Sequence, residues 1–218
     1  MMRKLVIWIQ GSNGAGKTTQ SRLLIDHLTK GVEEVDRMSV IDDKCYYTRY
    51  GSSGVAVLGK IGKNACTGLD SVYSKLGADG VGISLEKALD DEEISIIVME
   101  CVFGTMAWYN RWISMGIRDK FKLFVFHLDF TMWDNFNRIS QRRALKQERD
   151  DWWNVPLEDT VYKNVGSKNR ETRTIFNKLN GTHEKSDGKL AEVCFQLDAI
   201  EPSKVIHNKI VGHIFNNL

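Results

Sequence analysis

The sequence predicts an α/β domain whose parallel sheet is flanked by helices, and three observations carry that expectation. Four apolar runs, residues 5–10, 94–100, 123–129 and 193–197, are continuous rather than alternating and rich in Val, Ile and Phe. Such runs suit strands buried on both faces, as parallel strands are. Helical patterns lie between them, which makes the connections right-handed crossovers. The first run also feeds directly into a glycine-rich loop, Gly11-Ser12-Asn13-Gly14-Ala15-Gly16-Lys17-Thr18.

The elements follow in chain order. Residues 5–10 form the first strand and residues 18–28 the first helix. A shorter strand is expected at 38–41, ending on Asp42 and Asp43. Residues 46–50, the turn Gly51-Ser52-Ser53-Gly54 and residues 55–61 read as strand, turn, strand, and so as a hairpin outside the parallel sheet. Thr131 and Asp134 form a capping-box-like pair that opens a helix running to about Gln147. Near the end, Ser203 follows Pro202, and Ile206, Ile210 and Ile214 recur at helical spacing, a face made to pack on the sheet. The expected architecture is one domain over residues 1–218 with about five parallel strands, an insertion at about 44–78 and a helical lid at about 142–166.

Composition narrows the class. With 218 residues, 42% of them hydrophobic, the chain buries one sizeable core. A net charge of +2 announces neither nucleic acid nor an acidic partner. The charge is local instead: residues 44–78 hold Lys44, Arg49, Lys60, Lys63 and Lys75 against the single acid Asp70, a balance of +4. Cys45, Cys66, Cys101 and Cys194 are far apart, without metal-ligand spacing, and read as reduced thiols. No apolar stretch reaches transmembrane length, so a soluble cytoplasmic protein without a membrane partner is expected.

The glycine loop matches GxxxxGK[ST] between an apolar strand and a helix, the context in which that motif binds nucleotide phosphates. Glycines let the backbone curl around phosphate oxygens, and the helix N-terminus adds its positive end. Lys17 is expected at the β- and γ-phosphates and the Thr18 hydroxyl on magnesium, with Gly11 to Thr19 as the nucleotide-binding stretch. ATP and Mg2+ are the implied cofactors. An Asn-Lys-x-Asp base reader is absent, which argues against a GTPase switch. Glu100 closes a strand at the carboxyl edge, where it holds magnesium through water, orients an acceptor or caps a turn. Asn135, Arg138, Arg142, Lys146 and Arg149 recur every three or four residues and share one helix face. Small P-loop kinases use such arginines to neutralise the transferred phosphoryl group. That role is expected of Arg138 and Arg142, while Lys146 and Arg149 suit a solvated face.

A kinase needs a carboxylate at the acceptor hydroxyl. Asp42, at the end of the second expected strand, is the first candidate for the base, with Asp43 and Glu100 as alternatives. Asp70 suits an acceptor base or sugar. Trp108, Tyr109 and Trp112 offer stacking surfaces, although their helical spacing serves core packing equally well.

Gly14-Ala15-Gly16-Lys17-Thr18-Thr19-Gln20 resembles the loop of thymidylate kinases, but Cys101-Val102-Phe103-Gly104-Thr105 stands where those carry an Asp-Arg pair that grips the monophosphate. Val57-Leu58-Gly59-Lys60-Ile61-Gly62, Cys66-Thr67-Gly68-Leu69-Asp70-Ser71 and Met99-Glu100-Cys101-Val102-Phe103-Gly104 resemble the phage-type P-loop kinases of 5-hydroxymethyluracil in DNA. That resemblance implies a DNA partner. Lys60 and Arg49 would then contact the acceptor strand and Trp108 an extruded base. A free nucleoside or nucleoside monophosphate is the alternative acceptor, and a non-catalytic nucleotide-binding module the third reading. Oligomeric state has no signature in the chain.

Overall fold

The computed structural model describes residues 3–218 apart from 31, 33–35, 42–43, 60–68, 102–105, 152, 154–158 and 187. In chain order the elements are β1 (Lys4–Gly11), α1 (Lys17–Thr29), β2 (Asp36–Ile41), β3 (Lys44–Arg49), β4 (Val55–Leu58), α2 (Leu69–Asp90), β5 (Ile96–Cys101), α3 (Met106–Ser114), β6 (Phe121–Asp129), α4 (Met132–Lys146), α5 (Asp159–Asn180), β7 (Val193–Asp198) and α6 (Ser203–Phe215). All seven strands form one sheet in the order β2-β3-β4-β5-β1-β6-β7. Only β3 runs against the others, since it pairs antiparallel with both β2 and β4 while the remaining neighbours are parallel.

The strand-turn-strand predicted at 46–61 lies in this sheet rather than outside it. Its second strand, Val-Ala-Val-Leu, is buried along its whole length and pairs in parallel with β5 from Val55↔Ile96 to Val57↔Val98. Four consecutive apolar residues have to be covered on both faces, and the place beside β5 does that. The sheet therefore gains two strands over the expected five, and the segment from 44 is no appended insertion. The strand expected at 38–41 is consequently the outermost one, separated from β1 by β3, β4 and β5. At ~4.8 Å per strand its end stands roughly 19 Å from β1.

Period-two alternation divides the core between the two faces. Leu5, Ile7, Ile9, Val98, Phe124, Phe126 and Leu128 meet Leu24 and Ile25 of α1 and Ile206, Ile210 and Ile214 of α6. Val6, Trp8, Ile97, Met99, Leu123 and Val125 meet Leu85 of α2, Trp108 and Trp112 of α3 and Phe176 and Leu179 of α5. α4 starts as the sequence predicts: the Thr131 hydroxyl accepts from the Asp134 N–H, and the chain leaves the helix at Gln147. The expected lid at 142–166 divides between the end of α4 and the first turns of α5, and Trp152 lies outside the described residues. Among those residues no helix is long and apolar enough to cross a membrane.

Candidate active site

β1 is the central strand of the parallel core, with β5 on one side and β6 on the other, and its carboxyl end opens into the glycine loop. In open α/β sheets that edge is where ligands bind. Gly14 and Gly16 adopt φ of 82° and 90°, left-handed values that favour glycine. A side chain on Gly11 would bring its Cβ within 2.8 Å of the Leu128 carbonyl oxygen. The sharp bend between strand and helix thus requires the glycines that the motif supplies. α1 begins at Lys17, so the N–H groups of its first turn, which have no partner within the helix, point toward the loop.

Lys17 is buried, at 8% exposure, and its Nζ donates to the Ser12 carbonyl oxygen at 3.0 Å. Burial lowers its pKa, while the nearby Glu100 and Asp70 carboxylates oppose that shift and Arg142 reinforces it. One ammonium therefore senses Glu100, Asp70 and Arg142 together, residues from β5, α2 and α4. Glu100 faces α1 because it shares the parity of Val98, and its Oε1 accepts a hydrogen bond from Thr18 Oγ1 at 3.0 Å. Glu100 is 2% exposed. Among the described residues no three His, Cys, Asp or Glu side chains gather as metal ligands. A hydroxyl beside one carboxylate fits magnesium, which keeps several waters and shares phosphate oxygens rather than filling a protein cage.

The arginine pair expected at the transferred phosphate divides its work. Arg138 spends its donors on backbone: Nη1 donates to the Gly14 carbonyl at 3.2 Å and Nη2 to that of Ala199 at 2.7 Å. Its guanidinium also lies 4.3 Å from the centre of the Phe130 ring. Arg138 accordingly clamps the glycine loop to the turn after β7. Arg142, one turn on, is solvent-exposed yet close enough to Lys17 to affect its charge. Arg149 forms a two-pronged ion pair with Asp151 at 2.8 and 2.7 Å.

The structure removes two of the expected substrate contacts. Trp108 is 0% exposed and packs in the core, its ring 6.2 Å from Trp8 at an interplanar angle of 17°. Helical spacing of three large aromatics produced a buried face of α3 because the sheet beneath it needed covering. Arg49 sits at the amino end of the sheet, the end opposite the glycine loop, in ion pairs with Glu93 and with Asp91. Asp70 is in the first turn of α2, 9% exposed, within the electrostatic neighbourhood of Lys17. Asp42, Asp43 and Lys60 lie outside the described residues. Of the described strands that precede them in the chain, β4 and β2 both end at the carboxyl edge, β4 beside β5 and β2 at the rim of the sheet.

One residue that sequence reasoning counted only as part of a basic helix face belongs to the site. Asn135, 0% exposed, donates from Nδ2 to Ser12 Oγ at 2.7 Å. The signal for it was present as its i,i+3 spacing from Arg138. Beyond Phe130 a cleft of about 470 Å3 is lined by Asp129, Phe130, Thr131, Gln196, Asp198 and Ile200. The His127 imidazole, 3.6 Å away, and the Arg173 guanidinium, at 2.7 Å, hold the Asp129 carboxyl down at about 2.

No family model and no curated protein matches the chain. Among solved structures it is similar to a candidate kinase from Chloroflexus aurantiacus, at TM-score 0.51 and 14% identity with all of both chains covered. It is also similar to deoxyadenosine kinase from M. mycoides with bound dATP, at TM-score 0.46 and 14% identity over 96% of this chain and 99% of that one. The dCTP-bound form of that enzyme gives TM-score 0.41 and 15% identity over 97% and 100%. Likeness at 14% identity is likeness of fold alone, and the Chloroflexus structure shares the fold that the glycine loop predicted, a mostly parallel α/β sheet of the P-loop class with helices on both faces.

Proposed function

We propose that the chain is an ATP-dependent kinase that transfers the γ-phosphoryl group to a hydroxyl acceptor, and that the acceptor is the hydroxymethyl group of 5-hydroxymethyluracil in DNA. The observation that carries the phosphotransfer reading is the meeting of Lys17, Thr18, Glu100 and Arg142 around one glycine loop. Lys17 exchanges the Ser12 carbonyl for β- and γ-phosphate oxygens, and its buried charge acts in a low dielectric where it counts most. Thr18 and, through water, Glu100 would hold magnesium, which would supply positive charge at the phosphates. Arg142 approaches from the exposed side to meet the charge that develops on the equatorial oxygens. The acceptor oxygen forms its bond to Pγ as the bond to the β-phosphate oxygen breaks, ADP leaves, and the acceptor proton passes to a carboxylate. Asp42 is the proposed base, with Asp43 and Glu100 as alternatives, and Asp70 the proposed acceptor-binding group.

The DNA acceptor is supported by the resemblance of the three motifs above and by the +4 charge of residues 44–78. β4, the strand that precedes Lys60 in the chain, ends at the ligand-binding edge, and a lysine contact to an acceptor strand is proposed there. A free nucleoside or nucleoside monophosphate is the second reading, favoured by the burial of Asp70 and by the removal of Arg49 and Trp108 from the acceptor side. Transfer of labelled phosphate from Mg-ATP decides between them. Label on duplex DNA containing 5-hydroxymethyluracil, absent from matched thymine DNA, establishes the first. Label only on a free nucleoside or nucleotide establishes the second. ATP binding with no transfer to any acceptor overturns both.

A further inference from the structure

We propose that Asn135 is a positioning residue of the glycine loop, fixing Ser12 so that the occupancy of the loop is coupled to the helix that presents Arg142. The proposal rests on the reading of the loop as a phosphate cradle. Asn135 lies on the first turn of α4, wholly buried, and reaches across to the loop through one hydrogen bond, Nδ2 to Ser12 Oγ at 2.7 Å. Ser12 is itself 1% exposed and offers its carbonyl oxygen to Lys17 Nζ at 3.0 Å. Asn135 thus holds the residue on which the phosphate-binding lysine rests. The amide oxygen on the other side, Asn135 Oδ1, is buried without a hydrogen-bond partner among the described residues and lies 3.8 Å from where a Cβ on Gly14 would stand.

An asparagine buried to this depth with half its amide unsatisfied is a poor way to fill space, since a buried polar group without a partner is destabilising. Leucine or methionine would pack the same position without that penalty. What the amide supplies and an apolar side chain does not is a directed donor to Ser12. Arg138, one turn on, takes the Gly14 carbonyl, so two successive turns of α4 grip the loop at its second and fourth residues. A loop that shifts to admit phosphates carries α4 with it, and Arg142 stands one turn beyond Arg138 on the same helix face. Asn135 therefore acts through Ser12 and α4, touching no substrate atom.

The test is a double-mutant cycle on ATP affinity with magnesium, measured by calorimetry well below the unfolding temperature. Asn135→Ala and Ser12→Ala are each expected to weaken binding roughly two- to tenfold, the range of one hydrogen bond, and the double variant to be no weaker than either single one. Asn135→Asp adds a readout that packing alone does not move. Burial at this position raises the introduced carboxyl above the usual carboxylate range, and its ionisation behind the loop makes ATP affinity fall as pH rises from 5 to 8, beyond any change in the wild type. Unchanged ATP affinity in both single variants, or strictly additive losses, overturns the proposal while leaving the phosphate cradle intact. A wild-type chain that fails to bind ATP with magnesium overturns the cradle reading and this one together. If Asn135→Ala does not fold, Ser12→Ala and Asn135→Asp still decide the matter.

Discussion

Replacing Trp108 separates a core residue from a stacking platform. Its indole is fully buried, lies almost parallel to Trp8 at 6.2 Å and packs against Tyr73 at 5.5 Å. Trp112 closes on Trp8 from the side at 6.0 Å and 67°. Removing such a ring to alanine leaves a cavity under α3 and destabilises by about 3–5 kcal/mol. For a chain of this length each kcal/mol moves the melting temperature by roughly 2–4 °C, so Trp108→Ala should melt about 6–20 °C below the wild type. Trp108→Phe gives a sharper contrast. The indole N–H has no hydrogen-bond partner among the described residues, so phenylalanine discards a buried unsatisfied donor while keeping most of the apolar contact. Its loss should stay below about 1.5 kcal/mol. Urea unfolding followed by far-ultraviolet circular dichroism measures both variants, and phosphate transfer at 15 °C reports acceptor KM. A Trp108→Ala chain that melts with the wild type but has a tenfold higher acceptor KM refutes the core assignment and returns the ring to the acceptor site.

Three further outcomes follow from the site. Lys17→Ala should abolish phosphate transfer, whereas Asp42→Asn should remove transfer and leave ATP affinity nearly intact; an active Asp42→Asn enzyme moves the base to Asp43, Glu100 or solvent. Arg142→Ala should lower kcat at least tenfold with little change in melting temperature, and Arg138→Ala should do the reverse, lowering stability by about 1–3 kcal/mol through the lost loop clamp. Steady-state kinetics and thermal melts on the two variants check the division. Asp129, depressed from 3.8 to about 2 chiefly by His127 and then by Arg173, contributes stability that is complete above pH 4 and lost as pH falls from about 4 to about 2. Discounted for the solvent screening of a partly exposed carboxylate, that contribution is roughly 1 kcal/mol. The melting difference between wild type and Asp129→Asn should therefore shrink over that window, and a difference that persists unchanged to pH 2 counters the assignment.

Much of this molecule is legible along the chain because its signals are local. The helix start at Thr131 is a side chain bonding an N–H three residues on, and the bend after β1 is a set of glycine torsions. The isoleucine face of α6 is a period in one helix, with Ile206, Ile210 and Ile214 all buried. Thr18 and Glu100, in contrast, stand 82 positions apart, and what brings them within 3.0 Å is the parallel pairing of β1 with β5.

The sequence by itself determined the fold class, the position of the phosphate loop and most of the strands. Periodicity, turn chemistry and capping act over a few residues and need no partner from elsewhere in the chain. Only the tertiary structure decided that Val55–Leu58 lies beside β5, leaving the strand that precedes Asp42 at the rim. It likewise decided that Trp108 covers the sheet, that Arg49 lies at the far end, and that Arg138 and Asn135 grip the loop from outside. Strand order and side-chain direction depend on which surfaces are available to be buried together, and no stretch of residues carries that information until the whole sheet has assembled.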